Sequence, residues 1–242
     1  MAEQAIKLVY KFKKGDALKY KTTIESQVEI REDASSETVS TVMTMLTAQE
    51  VTDIQKDDVS VLKVTVQDAR LTKDGEEIVM PPITQSAVIQ MRTSGQILEI
   101  AGVLPQSSGG TPPSFPEEPI APGSKWQSEN PVQMGDGLPP AKIVNSYVFD
   151  GLEKKLGYDC ALIRMNSSEL VIPIPDGGRQ KMKITGHTFF AHKEGKLISS
   201  KIISEALTVL SPRSQVSAKT DMTVELLEKA ESLPQGEFLI SS

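Results

Sequence analysis

The chain has 242 residues, of which 38% are apolar and 24% charged, and a formal net charge of −6. That composition excludes a disordered chain, and the net negative charge argues against nucleic acid as a partner, because phosphate recognition needs a concentrated basic surface. The single cysteine, Cys160, excludes an intrachain disulfide and a cysteine-based metal cluster. No apolar run approaches the roughly 18 residues that span a bilayer, so no transmembrane span is expected.

Taken in chain order, the residues read as β structure. The N-terminal Met1-Ala-Glu-Gln-Ala-Ile-Lys7 lacks the basic-then-apolar profile of a secretory leader. A cytoplasmic location is expected, or an extracytoplasmic or cell-envelope one if a leader has been removed. After Gly15-Asp16, residues 16–32 alternate through Leu18, Tyr20, Thr22 and Ile24 and predict one strand or two. Asp33-Ala-Ser-Ser36 is a hairpin tip. Val39, Thr41, Met43, Met45 and Thr47 then share one strand face, and the stiffness of Val and Thr disfavours a helix over 42–50. Val59–Leu71 is apolar on most of both faces, as a central strand would be. Residues 76–86, with Pro81-Pro82, read as a loop. Val88–Met91 and Ile97–Ile100 flank a turn closed by Gly95 and predict a hairpin.

Residues 101–124 differ in character. Six of the fifteen prolines fall there, at 105, 112, 113, 116, 119 and 122, which fits neither a helix nor a central strand. The segment is expected to be an ordered crossover, pinned by Phe115 and Ile120. Strands then return: Lys125–Ser128, 141–149 after a loop at Met134–Pro140, Tyr158–Met165, and Lys181–Phe190 after a turn at Pro173–Gly178. The Lys193–Lys196 turn leads into Leu197–Leu210, and Val216, Ala218, Thr220, Met222 and Val224 share a face of the last strand.

The expected fold class is therefore mainly β, with few helices and with duplicated, curved antiparallel sheets forming a sandwich or incomplete barrels. The expected organisation is a first β unit at 1–100, the Pro/Gly-rich crossover at 101–124, a second unit at 125–226 and a C-terminal tail at 227–242. Two correspondences suggest the duplication. Gly15 precedes Tyr20 at a strand start much as Gly123 precedes Trp126, and Gly95 closes a hairpin much as Gly195 does.

Gly15-Asp-x-x-x-Tyr20, Phe115-Pro-x-x-Pro119-x-x-Pro122-Gly123-x-x-Trp126, Gly157-Tyr-Asp-Cys160-x-x-Ile163 and Lys193-x-Gly195-x-Leu197 together resemble uncharacterised bacterial proteins of the DUF6263 type. The resemblance covers most of residues 8–210. It implies an envelope-associated β protein without an assigned activity, and its motifs are structural rather than chemical.

No catalytic, cofactor-binding or metal residues are predicted, and no cofactor. His187 and His192 are the only histidines, and their odd spacing places them on opposite faces of a regular strand. Cys160 has no local base and reads as a small core residue. The carboxylate pairs Asp57-Asp58, Glu76-Glu77 and Glu117-Glu118 are sequence neighbours in turns, unlike two carboxyls facing one cleft. Asn166-Ser-Ser168 matches a glycosylation acceptor too short to be diagnostic. The leading expectation is a non-enzymatic binding or structural module that handles an apolar molecule or peptide between the β units. Met43, Met45, Met91, Met165 and Met182 are candidates for its soft lining, or for plain core filling. The alternatives are a protein–protein or cell-envelope assembly module working through strand edges, and a hydrolase whose site is assembled from distant residues.

Overall fold

A computed structural model describes residues 5–80, 85–102, 112–132, 141–174, 178–211 and 213–227. The expected loops at 81–84 and 134–140, the Pro105–Gly110 stretch, the Pro175–Gly177 turn and the C-terminal tail lie outside the described residues.

Among the described residues, thirteen strands form one antiparallel sheet. They are β1 (Ala17–Glu32), β2 (Ser35–Ile54), β3 (Val59–Lys73), β4 (Glu76–Ile78), β5 (Ser86–Arg92), β6 (Ile97–Gly102), β7 (Lys125–Val132), β8 (Ala141–Lys155), β9 (Tyr158–Ser167), β10 (Leu170–Pro173), β11 (Arg179–Ala191), β12 (Lys196–Ser211) and β13 (Ser214–Leu227). The short β4 falls in the expected loop at 76–86, where Asp74 and Gly75 take positive φ and fold it back on β3. The weak alternation of Leu170–Pro173 hides β10, which pairs only with the start of β11.

The spatial order is β6-β5-β3-β2-β1-β13-β12-β11-β9-β8-β7, with β4 and β10 off this path. This is an up-and-down meander whose first and last strands pair. The β1–β13 register runs unbroken from Lys19↔Leu227 to Glu32↔Ser214, and β1–β2 is equally regular. One seam of the circle, between β6 and β7, stays open, so the sheet curves without closing into a barrel. About eight strands enclose a lumen that side chains can fill. The eleven strands of this path enclose more, and other chain segments occupy part of the interior.

Those segments are residues 6–12 and 113–120. Ile6 and Ile120 form an antiparallel bridge. Leu8, Tyr10, Phe115 and Ile120 are buried in one core with Val51, Leu62 and Met91 from strands before the crossover, and with Tyr147, Phe149, Ile163 and Phe190 from strands after it. Tyr10 stacks on Phe115 at 5.4 Å and meets Phe190 edge-on at 4.9 Å. Trp126 stacks on Tyr147 at 5.4 Å and donates its indole N–H to the Ser114 carbonyl at 2.7 Å. Register shifts at Val51/Asp53, Gln90/Met91, Phe149/Gly151 and Phe189/Phe190 lie in strands that contribute to this core, where added twist bends them inward.

Backbone hydrogen bonds fasten the inner segment to both wings. The Tyr10 N–H donates to the Thr93 carbonyl in the β5–β6 turn at 2.8 Å, and the Lys11 N–H donates to the Gly195 carbonyl in the β11–β12 turn at 2.9 Å. Gly95 and Gly195 make the close approach feasible. Both have positive φ; a Cβ on Gly95 would lie 2.4 Å from the Pro113 carbonyl oxygen, and one on Gly195 would lie 2.6 Å from the Lys11 nitrogen.

The two glycine–aromatic strand starts also share a hydrogen-bond pattern. Gly15 N–H donates to Val51 O and Val51 N–H to Asp16 O; Gly123 N–H donates to Phe149 O and Phe149 N–H to Ser124 O. The Asp16 carboxylate accepts from the Lys13 N–H as the Ser124 hydroxyl does from the Ala121 N–H.

Gly195→Ala combines backbone strain with a clash and is expected to lose about 2–4 kcal/mol of unfolding free energy. Gly123 has a similar φ of +87° but nothing near its Cβ position, so Gly123→Ala should lose only about 1–2 kcal/mol. Denaturant midpoints for the two variants test this; equal losses would show that the contact with Lys11 is not a tight one.

Candidate functional site

The inner face of the sheet can be followed row by row through the strand registers. One row runs Ala69–Met45–Thr22–Val224–Ser200–Thr188–Ile163–Phe149 across β3, β2, β1, β13, β12, β11, β9 and β8. At the β8–β9–β11 end, Phe149, Ile163 and Phe190 fill the interior. Towards the β1–β13 seam the inward residues include Thr22, Thr47, Val64, Ser200 and Val224, whose side chains are too small to reach across a wide sheet.

A cavity of about 230 Å³ opens where these smaller residues face inward. Strands from both halves of the chain line it, with Leu62, Met91 and Ile97 on one side and Leu197, Ile202 and Met222 on another. Tyr10 and Phe12 from the inner segment complete it, and Ile100 and Pro112 also border it. Most of the lining is apolar. The volume exceeds the roughly 150 Å³ of an engineered apolar cavity that admits benzene and falls below the roughly 300 Å³ where drug-sized pockets begin.

The polar groups at the cavity separate into two kinds. The Tyr10 and Tyr20 hydroxyls donate to the carbonyls of Pro113 and Leu197, and burial pushes both phenols up, so they remain neutral. Ser200 Oγ pairs with Thr188 Oγ1 at 3.1 Å. Lys196 is the one charged residue among the described lining residues; its Nζ lies 3.0 Å from the Tyr158 hydroxyl and 4.4 Å above that ring. Thr22, Thr47 and Gln49, by contrast, make no side-chain hydrogen bond among the described residues.

Of the five methionines singled out from the sequence, Met45 and Met91 line the cavity. Met43 and Met165 pack beside it with Ile24, Ile202 and Met222. Met182 sits opposite Leu170 and Ala206, apart from the cavity. The structure therefore does not bring the five into one lining: Met43 and Met165 share one cross-sheet row, Met45 lies in the next, and Met182 lies in another. Sequence reading missed the contribution of Tyr10 and Phe12. The signal was the alternation Ile6, Leu8, Tyr10, Phe12, which was obscured by the lysines between them.

The polar candidates lie elsewhere. His187 points away from the core row on β11, edge-on to Phe189 at 5.7 Å; burial, then Lys201 and Lys155, push its imidazole below the ordinary value. His192 follows β11 in the turn. Asp57-Asp58 occupies a short 3-10 turn, and Glu76-Glu77 and Glu117-Glu118 are exposed. These carboxylate pairs do not converge on the cavity. Among the described residues, no group of three or more His, Cys, Asp or Glu is placed to hold a metal, and no helix is long and apolar enough to cross a membrane.

No family model and no curated protein matches the chain. The fold is similar to part of lipovitellin, whose solved structure concerns lipid–protein interactions. The TM-score is 0.50 at 7% identity, over 90% of this chain and 26% of that one. The likeness is one of fold: a mainly β architecture with an extensive antiparallel sheet.

Two measurements probe the described electrostatics. Cys160 is fully buried and its thiol is pushed up by burial, so a thiol reagent should label the native protein far more slowly than the denatured one; matching rates would contradict the burial. Asp159 accepts hydrogen bonds from Lys193 and Lys154, which lower its pKa from 3.8 to about 2. The folded value lies below the unfolded one, so this contribution is present above 3.8 and is lost as pH falls towards 2. Asp159→Asn should flatten that part of the acid stability profile, and an unchanged profile would rule out the coupling.

Proposed function

We propose that the protein is a non-enzymatic binding module that holds a small apolar molecule in the cavity across the β1–β13 seam. The observation that carries this reading is the cavity itself. Left empty, about 230 Å³ of mostly apolar space would forgo at most about 5.5 kcal/mol of packing at the roughly 24 cal/mol per Å³ of an enclosed cavity. That loss is comparable with the lower end of the net stability of a typical domain. A bound apolar molecule would recover part of it through dispersion and water exclusion.

The position of the cavity supports the same reading. Its walls come from hydrogen-bonded strands, with register shifts at Leu46/Thr47 and Gln90/Met91, so the space is already shaped before a ligand arrives. Met45, Met91 and Met222 give that rigid frame adaptable side chains that can follow the contour of a ligand. The fold likeness to part of lipovitellin, whose solved structure concerns lipid–protein interactions, agrees with this reading.

The test is saturable binding of the uncharged, environment-sensitive dye Nile red. Wild-type protein should bind close to one equivalent. Val64→Phe places an aromatic ring in the cavity and should weaken binding about tenfold, with the melting temperature unchanged or raised. Absence of saturable binding, or a Val64→Phe variant that binds as well as wild type, would overturn the assignment.

A further inference from the structure

Resting on the apolar-cavity reading, we propose that the ligand is a single-chain amphiphile with one uncharged hydrogen-bonding end, such as an amide or an alcohol, seated at Thr47 with Thr22 or Gln49 beside it. The three residues form one corner of an otherwise apolar space. Thr47 and Gln49 are two apart on β2 and face the same way. Thr47 lies opposite Tyr20 and Gln49 opposite Leu18 on β1, while Thr22 is diagonal to Thr47. Thr22 and Gln49 each lie about 7 Å from Thr47, but they are four positions apart in register, so a polar group seated at Thr47 can reach either neighbour and not both.

Their unused capacity distinguishes them from the rest of the lining. Two hydroxyls and a carboxamide can both donate and accept, and none of the three has a side-chain partner among the described residues. The other polar lining groups are engaged: both tyrosines with carbonyls, Ser200 with Thr188, and Lys196 with Tyr158. The corner therefore offers a ligand neutral hydrogen bonds and no countercharge.

That pattern selects among ligand ends. A carboxylate or an ammonium would lose its hydration without an opposite charge to replace it. Lys196 could pair with a carboxylate only by abandoning the Tyr158 hydroxyl and ring. A plain hydrocarbon would leave the three polar side chains without partners in an apolar space. An amide or alcohol end satisfies both conditions, and its chain then extends along the surface formed by Met45, Met91 and Met222.

Competition against Nile red with octanamide, octanoate and octylammonium at pH 7 provides the test. Octanamide should displace the dye at concentrations about tenfold lower than either ion, since one satisfied hydrogen bond is worth about that factor. Thr47→Val and Gln49→Met should remove most of the amide preference while preserving Nile red binding. Gln49→Glu places a countercharge in the corner and should shift the preference towards octylammonium, a gain that misfolding cannot imitate. If octanoate competes as well as octanamide, or if Gln49→Glu leaves the ranking unchanged, the neutral-end assignment fails while the cavity reading stands. If Nile red itself does not bind, the cavity reading fails first.

Discussion

Two adjacent backbone donors on Tyr10 and Lys11 reach in opposite directions to the β5–β6 and β11–β12 turns, and the interior arrangement depends on that clasp. A meander of eleven successive neighbours is wide, and the β1–β13 pairing closes only one side of it. The clasp ties the two wings together through their turns. It also fixes where the aromatic rings of Tyr10, Phe115 and Phe190 meet, and hence where the core ends and the cavity begins. Glycine at 95 and 195 is the local condition for it, because a side chain at either position would collide with the segment being held.

Side-chain size then divides the interior. The same cross-sheet row that carries Phe149 and Ile163 at one end carries Thr22, Val224 and Ser200 near the seam. Backbone pairing continues along the row, with register shifts beside it at Leu46/Thr47, Phe149/Gly151 and Phe189/Phe190, and strand separation does not shrink to follow the smaller residues. Large side chains close the interior at one end, and small ones leave space at the other. The cavity is thus a consequence of continuous pairing combined with a difference in residue volume along the row.

Much of the strand pattern is legible in the sequence for a simple reason. Val39, Thr41, Met43, Met45 and Thr47 alternate with exposed or half-exposed neighbours, and a period of two has one meaning in a long antiparallel strand. The glycine turns at 95 and 195 mark hairpins just as directly. The strand order is less accessible: pairing of β1 with β13 joins residues nearly the whole chain apart, and no local pattern encodes it. Tyr10 and Phe12 were hidden for a related reason. Their segment alternates like a strand but lies within the curve of the sheet, so its role emerges only once the wings surround it. The methionines show the same limit, since membership of an inward face does not say which row of that face a residue occupies.

The matching hydrogen bonds around Gly15 and Gly123 sharpen the question of why the sheet opens where it does. Both glycines introduce a strand in the same manner, so the local geometry of the two starts is equivalent. Their surroundings are not. β1 has the complete edge of β13 beside it and pairs along almost its full length. β7 follows the crossover, whose residues 113–120 turn inward to pack Phe115 and Ile120 against the core. With that segment occupying the space beside Trp126, β7 and β6 remain the two edges of the sheet. The segment that supplies the core with an aromatic ring thus packs beside β7, at one edge of the open seam, and Ile100 and Pro112 border the cavity.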